Sequence, residues 1–240
     1  MNNNGKENIN IWLTHIGEES KLAFSVDCVI FGYDYDSLKV LLLECNMPPF
    51  EGLPSLVGDL LRGDETLDQA ARRVLYQRTG LDNLYLEQVA TFSEVDRHPL
   101  GRVVSTAYYS LIKLDEYSGI SLGSDKVYWK DVSTLDQMAF DHSHILYECV
   151  NRLKKRVREK PIGFNLLPSK FTLMQLQSLY EIILDIELDK RNFRRKLRSL
   201  DILIKHNETQ KDVSHRPARL YSFDKEAYKR RTEEGILFEI

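Results

Sequence analysis

The stretch GDLLRGDETLDQAARRVLYQRTGL, from Gly58 to Leu81, decides the fold of this 240-residue chain. Its second half predicts an amphipathic helix with arginine and glutamine on the solvated face. The acids Asp64, Glu65 and Asp68 stand at the start of that helix, and none stands at its centre. An ordinary amphipathic helix would also account for this sequence. The flanking segments therefore decide whether the stretch belongs to a larger fold.

The flanking sequence predicts strands. Before the helix, AFSVDCVIFGYDYDSLKVLLLEC (Ala23 to Cys45) is typical of two β-rich runs joined by a turn over Gly32 to Ser37. After it, strands are predicted at Val89–Phe92, Val103–Leu114 and Val127–Trp129, followed by a helix at Ala139–Val157. Strands, a helix, more strands and a closing helix indicate a layered α+β domain.

In this setting the stretch resembles the Nudix motif, G-x5-E-x7-R-E-U-x-E-E-x-G-U, in which U is a bulky aliphatic residue. Alignment on the closing pair Gly80-Leu81 places Arg73 on the arginine of the motif, Leu75 on its aliphatic position and Glu65 on its first glutamate. The resemblance covers residues 20 to 158. It implies a Nudix-like α/β/α sandwich.

The departures from the motif fall on the groups that would bind a metal. Asp59 replaces the second glycine, and Val74, Gln77 and Arg78 stand where three central glutamates are expected. Those glutamates would share one helix face and hold Mg²⁺ against a diphosphate. A guanidinium in that place repels a divalent cation by a few kcal/mol at an effective dielectric of about 20. We therefore expect no metal, no cofactor and no enzyme activity.

Charge divides the chain into two unlike halves. Residues 1–150 carry 12 lysines and arginines against 23 acids, whereas residues 151–240 carry 21 against 13. We predict an N-terminal extension (1–20), a Nudix-like effector-sensing domain (21–158), a linker (159–170) and a basic domain (171–240). The linker holds two prolines, and its Phe164, Leu166 and Leu167 are expected to dock on a surface.

The basic half predicts a helix-turn-helix. Thr172 and Gln175 form a capping box at the start of a helix that ends near Leu184. A four-residue connection leads to the N-cap Asp189 and to the helix KRNFRRKLRSL at 190–200. That helix holds six cations and no acid, so it needs either a polyanion or tertiary packing to persist. A basic second helix that also carries an asparagine suits the major groove of DNA.

Two further runs predict a β-wing. Ile202–Ile204 is typical of a strand, and Arg219–Phe223 alternates like a returning one. The wing would carry the cations Lys205, Lys211, His215, Arg216 and Arg219. A solvated basic helical cap is the alternative, because runs of charge are commonly wet surface.

The degenerate Nudix motif followed by FTLMQLQSLYE, LDKRNFRRKL and RPARLYSF is similar to the Nudix-related transcriptional regulators. The similarity spans nearly everything after residue 20, and DKRNFRRKL is its most specific element on the DNA side. It implies that the Nudix-like domain senses a small molecule and that the winged helix binds double-stranded operator DNA, usually as a homodimer. We expect a repressor.

Position on the second helix separates base contacts from phosphate contacts. Side chains early on the helix are expected to reach base edges, where each bidentate pair contributes about 1–3 kcal/mol of discrimination: Arg191, Asn192 and Arg195. Phosphate or minor-groove contacts are expected from Lys190, Arg194 and Arg198, from backbone N–H groups at Thr172, and from the wing residues Lys211, Arg216 and Arg219. Arg219 has an alternative role as the structural partner of an acid.

The sequence says less about the small molecule. One branch of the family uses ADP-ribose, whose diphosphate would be held here by Arg72, Arg73 or Arg78 in place of a metal. Another branch responds to sugars, notably L-arabinose, and controls carbohydrate metabolism. The resemblance favours the sugar. The candidate effector-binding residues lie in and after the segment TFSEVDR: Glu94, Asp96, Arg97 and Arg102.

An active Nudix hydrolase of nucleoside diphosphate derivatives is the rival function. It would need a rearranged metal site, with ligands from Asp64, Glu65 and Asp68 at the start of the helix. His142 and His144 are not assigned to a metal site, because a spacing of two at a helix start splays the rings.

Cysteine usage and hydropathy predict the compartment. Cys28, Cys45 and Cys149 are odd in number and lie in apolar runs, so we expect core thiols in a reducing environment. The N-terminus has no apolar signal core, and no run approaches about 18 apolar residues. We expect a cytoplasmic protein with no membrane partner.

Overall fold

The computed structural model describes residues 22–99, 101–114, 127–211, 216–236 and 238. The predicted N-terminal extension, 1–20, and His215 of the predicted wing lie outside these residues. The strands are β1 (Ala23–Tyr33), β2 (Leu38–Glu44), β3 (Pro54–Ser55), β4 (Val57–Leu60), β5 (Glu87–Phe92), β6 (Val103–Lys113), β7 (Val127–Asp131), β8 (Leu203–Thr209) and β9 (Arg219–Phe223). The α-helices are α1 (Leu67–Thr79), α2 (His142–Glu159), α3 (Leu173–Leu184), α4 (Lys190–Leu200) and α5 (Lys225–Glu233).

A mixed sheet forms the centre of the first domain. Its order is β3-β2-β1-β6-β5, with β4 paired to β1 and β7 paired to β2. β1 and β6 run parallel from the pair Ala23 and Val103 to the pair Tyr33 and Lys113. β1 is therefore covered on both edges, which suits a strand whose last eight residues are all buried.

Alternating side chains of β1 build two separate cores. On one face, Val26, Cys28 and Ile30 join a cluster with the apolar side of α1. On the other face, Val29 and Phe31 join a cluster with α2. Because successive side chains of a strand point to opposite faces, this single strand holds the two helices on opposite sides of the sheet. The predicted α/β/α sandwich is confirmed.

Local signals fix the ends of α1. The Thr66 side chain accepts from the Gln69 N–H, and the Gln69 side chain accepts from the Thr66 N–H, which is a capping box. Gly80 ends the helix in the left-handed region at φ 74°, where a side chain would add strain. The helix buries Ala70, Ala71, Val74 and Leu75 against the sheet, and Val74 is only 1% exposed.

The second domain is the predicted winged helix-turn-helix. α3 and α4 lie within a residue of their expected ends, and β8 and β9 form the antiparallel wing. Phe171 adds an isolated antiparallel β-bridge to the wing, because its N–H and its C=O both hydrogen-bond to the backbone of Tyr221. The solvated-cap alternative is wrong, since a capped turn and a wing surround the basic helix. α5 follows the wing and was not predicted, because its mean composition is polar and its buried face is confined to Ala227.

The linker packs as predicted. It forms a 3₁₀ helix, Pro161–Leu166, and buries Phe164, Leu166 and Leu167. Phe164 stacks on Phe223 of β9 with ring centroids 4.5 Å apart. One apolar cluster runs from the sheet through α2 and these residues into α3 and α4. The two domains therefore share a continuous core.

The cysteines lie where the sequence predicts. Cys28, Cys45 and Cys149 are free and buried. Burial raises the pKa of the Cys149 thiol to about 12 and that of Cys28 still higher, so both are neutral and unreactive. Within the part of the chain that the structure describes, no helix is long and apolar enough to cross a membrane.

Restoring the first missing glutamate of the motif should destabilise the fold. Val74→Glu places an unpaired carboxylate in the core, which costs about 3–5 kcal/mol. At about 2–4 °C per kcal/mol for a chain of this size, the melting temperature should fall by at least about 6 °C in a thermal unfolding scan. Tyr76→Glu on the same helix, at a side chain 59% exposed, should change it by less than about 2 °C. Equal effects of the two variants would contradict the burial of Val74.

Candidate functional site

A cavity of about 540 Å³ opens beside the edge of the sheet where β4 pairs with β1. β1 and β4, the segment from Leu43 to Gly52, the C-terminal end of α1 and the start of α2 all contribute to its wall. Its size lies in the range of about 300–1,000 Å³ that is usual for small-molecule sites.

The floor of the cavity is a buried carboxylate. Asp27 is the single charged residue of β1, and it is 5% exposed. The Ser105 hydroxyl donates to its Oδ2 at 2.5 Å, and Arg97 Nη2 lies 3.9 Å from the same oxygen. Gly58 passes so close that a Cβ there would overlap the Asp27 carboxylate. A buried charge needs partners of this kind, so the network holds β1, β4 and β6 together at the cavity.

Arg97 connects this floor to α2. Its guanidinium is buried and donates through Nε and Nη2 to both carboxylate oxygens of Asp141, at 2.8 and 2.7 Å. Asp141 is the N-cap residue of α2, but its side chain makes no capping bond. The bidentate pair with Arg97 occupies the carboxylate instead.

His142 is a neutral member of the same network. The Leu56 N–H donates to Nδ1 at 3.0 Å, so that nitrogen carries a lone pair and the ring proton sits on Nε2. Nε2 lies 3.5 Å from Asp27 Oδ1. Burial lowers the pKa of His142, although Asp27 and Asp141 oppose the shift. The two ring nitrogens therefore face the Leu56 N–H and the Asp27 carboxylate.

An aromatic pair forms part of the cavity wall. His98 and Phe140 both line the cavity and stack with ring centroids 4.8 Å apart and 8° between their planes. Phe140 has a positive φ of 53°, which is uncommon for a bulky residue and marks functional sites more often than ordinary loops. Partial burial lowers the pKa of His98. A flat neutral surface of this kind suits stacking by a planar ring of a ligand.

Two motif residues that this chain retains, Glu65 and Arg73, form a salt bridge that braces the segment before α1. Arg73 donates to both carboxylate oxygens of Glu65, with Nε to Oε2 at 2.8 Å, and to the Leu60 carbonyl at 2.9 Å. Arg73 lowers the pKa of Glu65 to about 2. Gln77 accepts from Arg73 Nη1 at 3.2 Å. Glu65 and Gln77 are thus engaged by the same guanidinium.

Two of the four altered positions of the motif pair with each other. Arg78 Nη2 donates to Asp59 Oδ2 at 2.9 Å, and both side chains remain about two-fifths exposed, at 37% and 38%. Both line the cavity. In the sequence Asp59 and Arg78 are two separate departures from the motif, whereas in the structure they form one ion pair.

The metal implied by the Nudix motif does not fit these residues. Val74 is buried away from the cavity, and Arg78 brings a positive charge. Glu65 is held by Arg73, and Asp68 accepts from the Tyr108 hydroxyl at 2.7 Å. Among the described residues, no three His, Cys, Asp or Glu side chains cluster as metal ligands would.

The effector residues named from the sequence are divided by the structure. Arg97 lines the cavity, but Asp141 occupies its guanidinium. Glu94 and Asp96 are exposed and are not part of the cavity wall. Arg102 donates to the carbonyls of Ser93 and Glu94, and so it orders the loop instead of facing the cavity.

The basic helix α4 presents its cations outward. Phe193, Leu197 and Leu200 are buried as predicted, whereas Lys190, Arg191, Asn192, Arg195 and Arg198 are exposed. Arg195 Nη2 donates to Asn192 Oδ1 at 2.8 Å, so these two candidate base-reading groups are held side by side. The wing residues Lys211, Arg216 and Arg219 are exposed as well.

Two residues of the predicted DNA-binding set lie differently from the rest. Thr172 is 1% exposed, and the capping box with Gln175 uses both its hydroxyl and its N–H, so neither of these two groups is left for a phosphate. Arg194 is half-buried beside Leu197 and Tyr221 at the base of the wing. Its Nε is buried with no hydrogen-bond partner among the described residues.

Several cavity residues were not found by the sequence analysis. Asp27 carried a usable signal, since a lone acid inside an otherwise apolar strand is rarely buried without a function or a partner. His98 and Phe140 carried none, and neither did Ser105, the hydrogen-bond partner of Asp27, because these residues stand in separate segments that only the fold brings together.

Known proteins resemble the chain in both of its halves. The family model of the NrtR DNA-binding winged helix domain matches residues 163–223. The ADPR responsive transcriptional repressor NtrR of Acinetobacter baylyi is 34% identical over 211 residues, which cover 85% of this chain and 83% of the relative.

Two crystal structures extend the similarity. That of Shewanella oneidensis NrtR with a 27mer DNA has a TM-score of 0.69 at 29% identity, and the match covers 86% of this chain and 95% of that chain. That of the NUDIX domain of the same NrtR with ADP ribose has a TM-score of 0.51 at 29% identity, and covers 60% and 97%.

The free energy of unfolding should fall at acid pH, because His142 takes up a proton more readily in the unfolded chain than in the folded one. The folded pKa lies below the ordinary value of about 6.5, so the unfolded state binds the proton first and stability is lost below about pH 6.5. The free energy of unfolding in urea should decrease by up to about 1.4 kcal/mol per pH unit between pH 6.5 and 5 from this residue. His142→Gln should flatten the profile, whereas the exposed control His144→Gln should not. An unchanged slope in His142→Gln would count against a neutral buried ring.

Proposed function

Because the chain belongs to the NrtR-type Nudix-related transcriptional regulators, with a DNA-binding winged helix, we propose that it is a repressor whose affinity for operator DNA is set by ADP-ribose. The proposal rests on two features found together: a basic helix whose cations face solvent, and a Nudix-like motif that lacks the carboxylates needed to bind a metal. α4 supplies exposed cations on a buried apolar stripe, and the motif supplies Arg78 where a catalyst needs a carboxylate. The same chain thus has a nucleic-acid surface and a cavity without its metal ligands.

The cavity favours ADP-ribose over a sugar. Its wall offers a guanidinium for a diphosphate, a stacked aromatic pair for a base, and carboxylates such as Glu51 for ribose hydroxyls. Two of the residues named from the sequence as candidate effector contacts, Glu94 and Asp96, lie outside that wall. The relatives agree in their names, since one is called ADPR responsive and another was crystallised with ADP ribose.

We propose α2 as the connection between effector and DNA. Its first residue, His142, lines the cavity, and Arg97 connects its N-cap Asp141 to the cavity floor. Its later residues Leu153 and Val157 belong to the apolar cluster that includes α3 and α4. A helix of 18 residues spans about 27 Å, so a small displacement at the cavity reaches the winged helix through continuous packing.

Repression by a homodimer follows from the same proposal. Two recognition helices would have to lie about one turn of DNA apart to enter successive major grooves of a palindromic operator. An effector that changes this spacing lowers the affinity. A hundredfold loss requires about 2.7 kcal/mol of differential binding between the two arrangements.

DNA binding should depend on the Arg195–Asn192 pair. With a duplex selected from a random pool, Arg195→Ala should weaken binding by about 1–3 kcal/mol, roughly 5- to 150-fold, in a gel shift at low salt. Arg72→Ala removes the same charge from the sensor domain and should have no effect beyond twofold. The wild-type log K should fall with log salt at a slope near −5 if about six phosphates are neutralised. Unchanged binding by Arg195→Ala would contradict the assigned role.

ADP-ribose, and not a pentose, should release the DNA. In the same gel shift, ADP-ribose should dissociate the complex, whereas AMP and L-arabinose at equal concentration should not. A phosphate-release assay over nucleoside diphosphate derivatives with Mg²⁺ or Mn²⁺ should show no turnover, since Glu65 is bound by Arg73 and Asp68 by Tyr108. Release by L-arabinose would overturn the effector, and turnover lost in Glu65→Gln would revive the hydrolase.

A further inference from the structure

The ion pair between Asp59 and Arg78 occupies the place of the metal cradle in the Nudix motif. Asp59 stands at a glycine position of the motif and Arg78 at a glutamate position, 19 residues apart. A single change would leave an uncompensated charge beside the cavity. Together the two side chains are electrically neutral, so the two substitutions act as one compensated pair.

The pair is held rigidly on the cavity wall. Asp59 lies in β4 opposite Val26 of β1, and its Oδ1 accepts from the Leu60 N–H at 2.7 Å. Its Oδ2 accepts a hydrogen bond from Nη2 of Arg78, which lies in the last turn of α1. A strand and a helix therefore fix the two ends, and the Arg78 side chain, which is 37% exposed, lines the cavity in which a ligand would bind.

The structure also distinguishes the three arginines of the helix. Arg72 donates to the Leu84 carbonyl and is not part of the cavity wall. Arg73 is committed to Glu65 and to the Leu60 carbonyl. Arg78 is the member of the three that lines the cavity. Of the three arginines, Arg78 is therefore the one placed to contact an anionic ligand in the cavity.

We propose that the Asp59–Arg78 pair does the work of the lost metal, so that the diphosphate of the effector binds to the Arg78 guanidinium and binding needs no divalent cation. This inference rests on the proposed ADP-ribose effector. A guanidinium presents a planar fork of donors that matches two phosphate oxygens, and it stays charged at every physiological pH. Asp59 orients the fork before the ligand arrives, which lowers the entropic cost of binding. The regulator then reads the effector independently of the magnesium level.

The first test uses the unaltered full-length protein. Isothermal titration with ADP-ribose in excess EDTA and in millimolar Mg²⁺ should give dissociation constants within about twofold of each other. Binding that is tenfold or more tighter with Mg²⁺ would overturn the inference while leaving the effector intact. Absence of binding in both buffers would overturn the effector itself, and the inference with it.

The second test assigns the guanidinium. Arg78→Gln should weaken ADP-ribose binding by tenfold or more in EDTA, and Arg78→Lys should lie between it and wild type because one point charge replaces the fork. The matched control Arg72→Gln removes the same charge from the same helix and should stay within twofold. Adenosine, which lacks the phosphates, should bind all variants alike, and equal melting temperatures will show that the folds agree. Arg78→Gln binding as tightly as Arg72→Gln would overturn the inference.

Discussion

A buried carboxylate in the central strand is the constraint on which the rest of the structure depends. Asp27 sits in β1 between two apolar cores, where an unpartnered charge would be prohibitive. Asp27 is partnered by the Ser105 hydroxyl, the Arg97 guanidinium and the His142 ring, and each of these partners comes from a different element or loop. Arg97 then holds Asp141 at the start of α2, and α2 packs into the winged helix. Electrostatic compensation at one strand thus sets the cavity and links it to the DNA-binding half.

Local signals explain which parts of the structure the sequence could predict. The ends of α3 and α4 follow from the caps Thr172 and Asp189 and from apolar spacing, all within a few residues of each other. The cavity has no such signal, because Asp27, Asp59, Arg97 and Phe140 come from four distant segments. The extended run that contains Glu94 and Asp96 suggested a ligand site by composition alone, and the chain turns those two acids to solvent. Arg97 was found, but as an effector contact and not as the partner of Asp141.

The effect of the substitution at Arg78 depends on its ion pair with Asp59. Taken alone, Arg78 repels a cation and signals a lost activity; taken with Asp59, it is part of a neutral, oriented group on a cavity wall. The sequence could not show this, since β4 reaches α1 only through the antiparallel register with β1. Glu65 and Arg73 survive beside it because their bond braces the loop before α1 and does not depend on a metal. Loss of the central carboxylates and retention of the brace are therefore compatible in one fold.

The recognition helix is formed before DNA arrives, and this limits how an effector can act. Six cations on eleven residues would repel one another in isolation, but Phe193, Leu197 and Leu200 are buried and Asp189 caps the first turn. Tertiary packing therefore offsets the repulsion without a polyanion. Because no ordering of α4 is left to couple to DNA binding, an effector cannot work by folding or melting that helix. Under the proposed function, the effector acts on the position of the preformed helix, through the continuous core from α2 to α4.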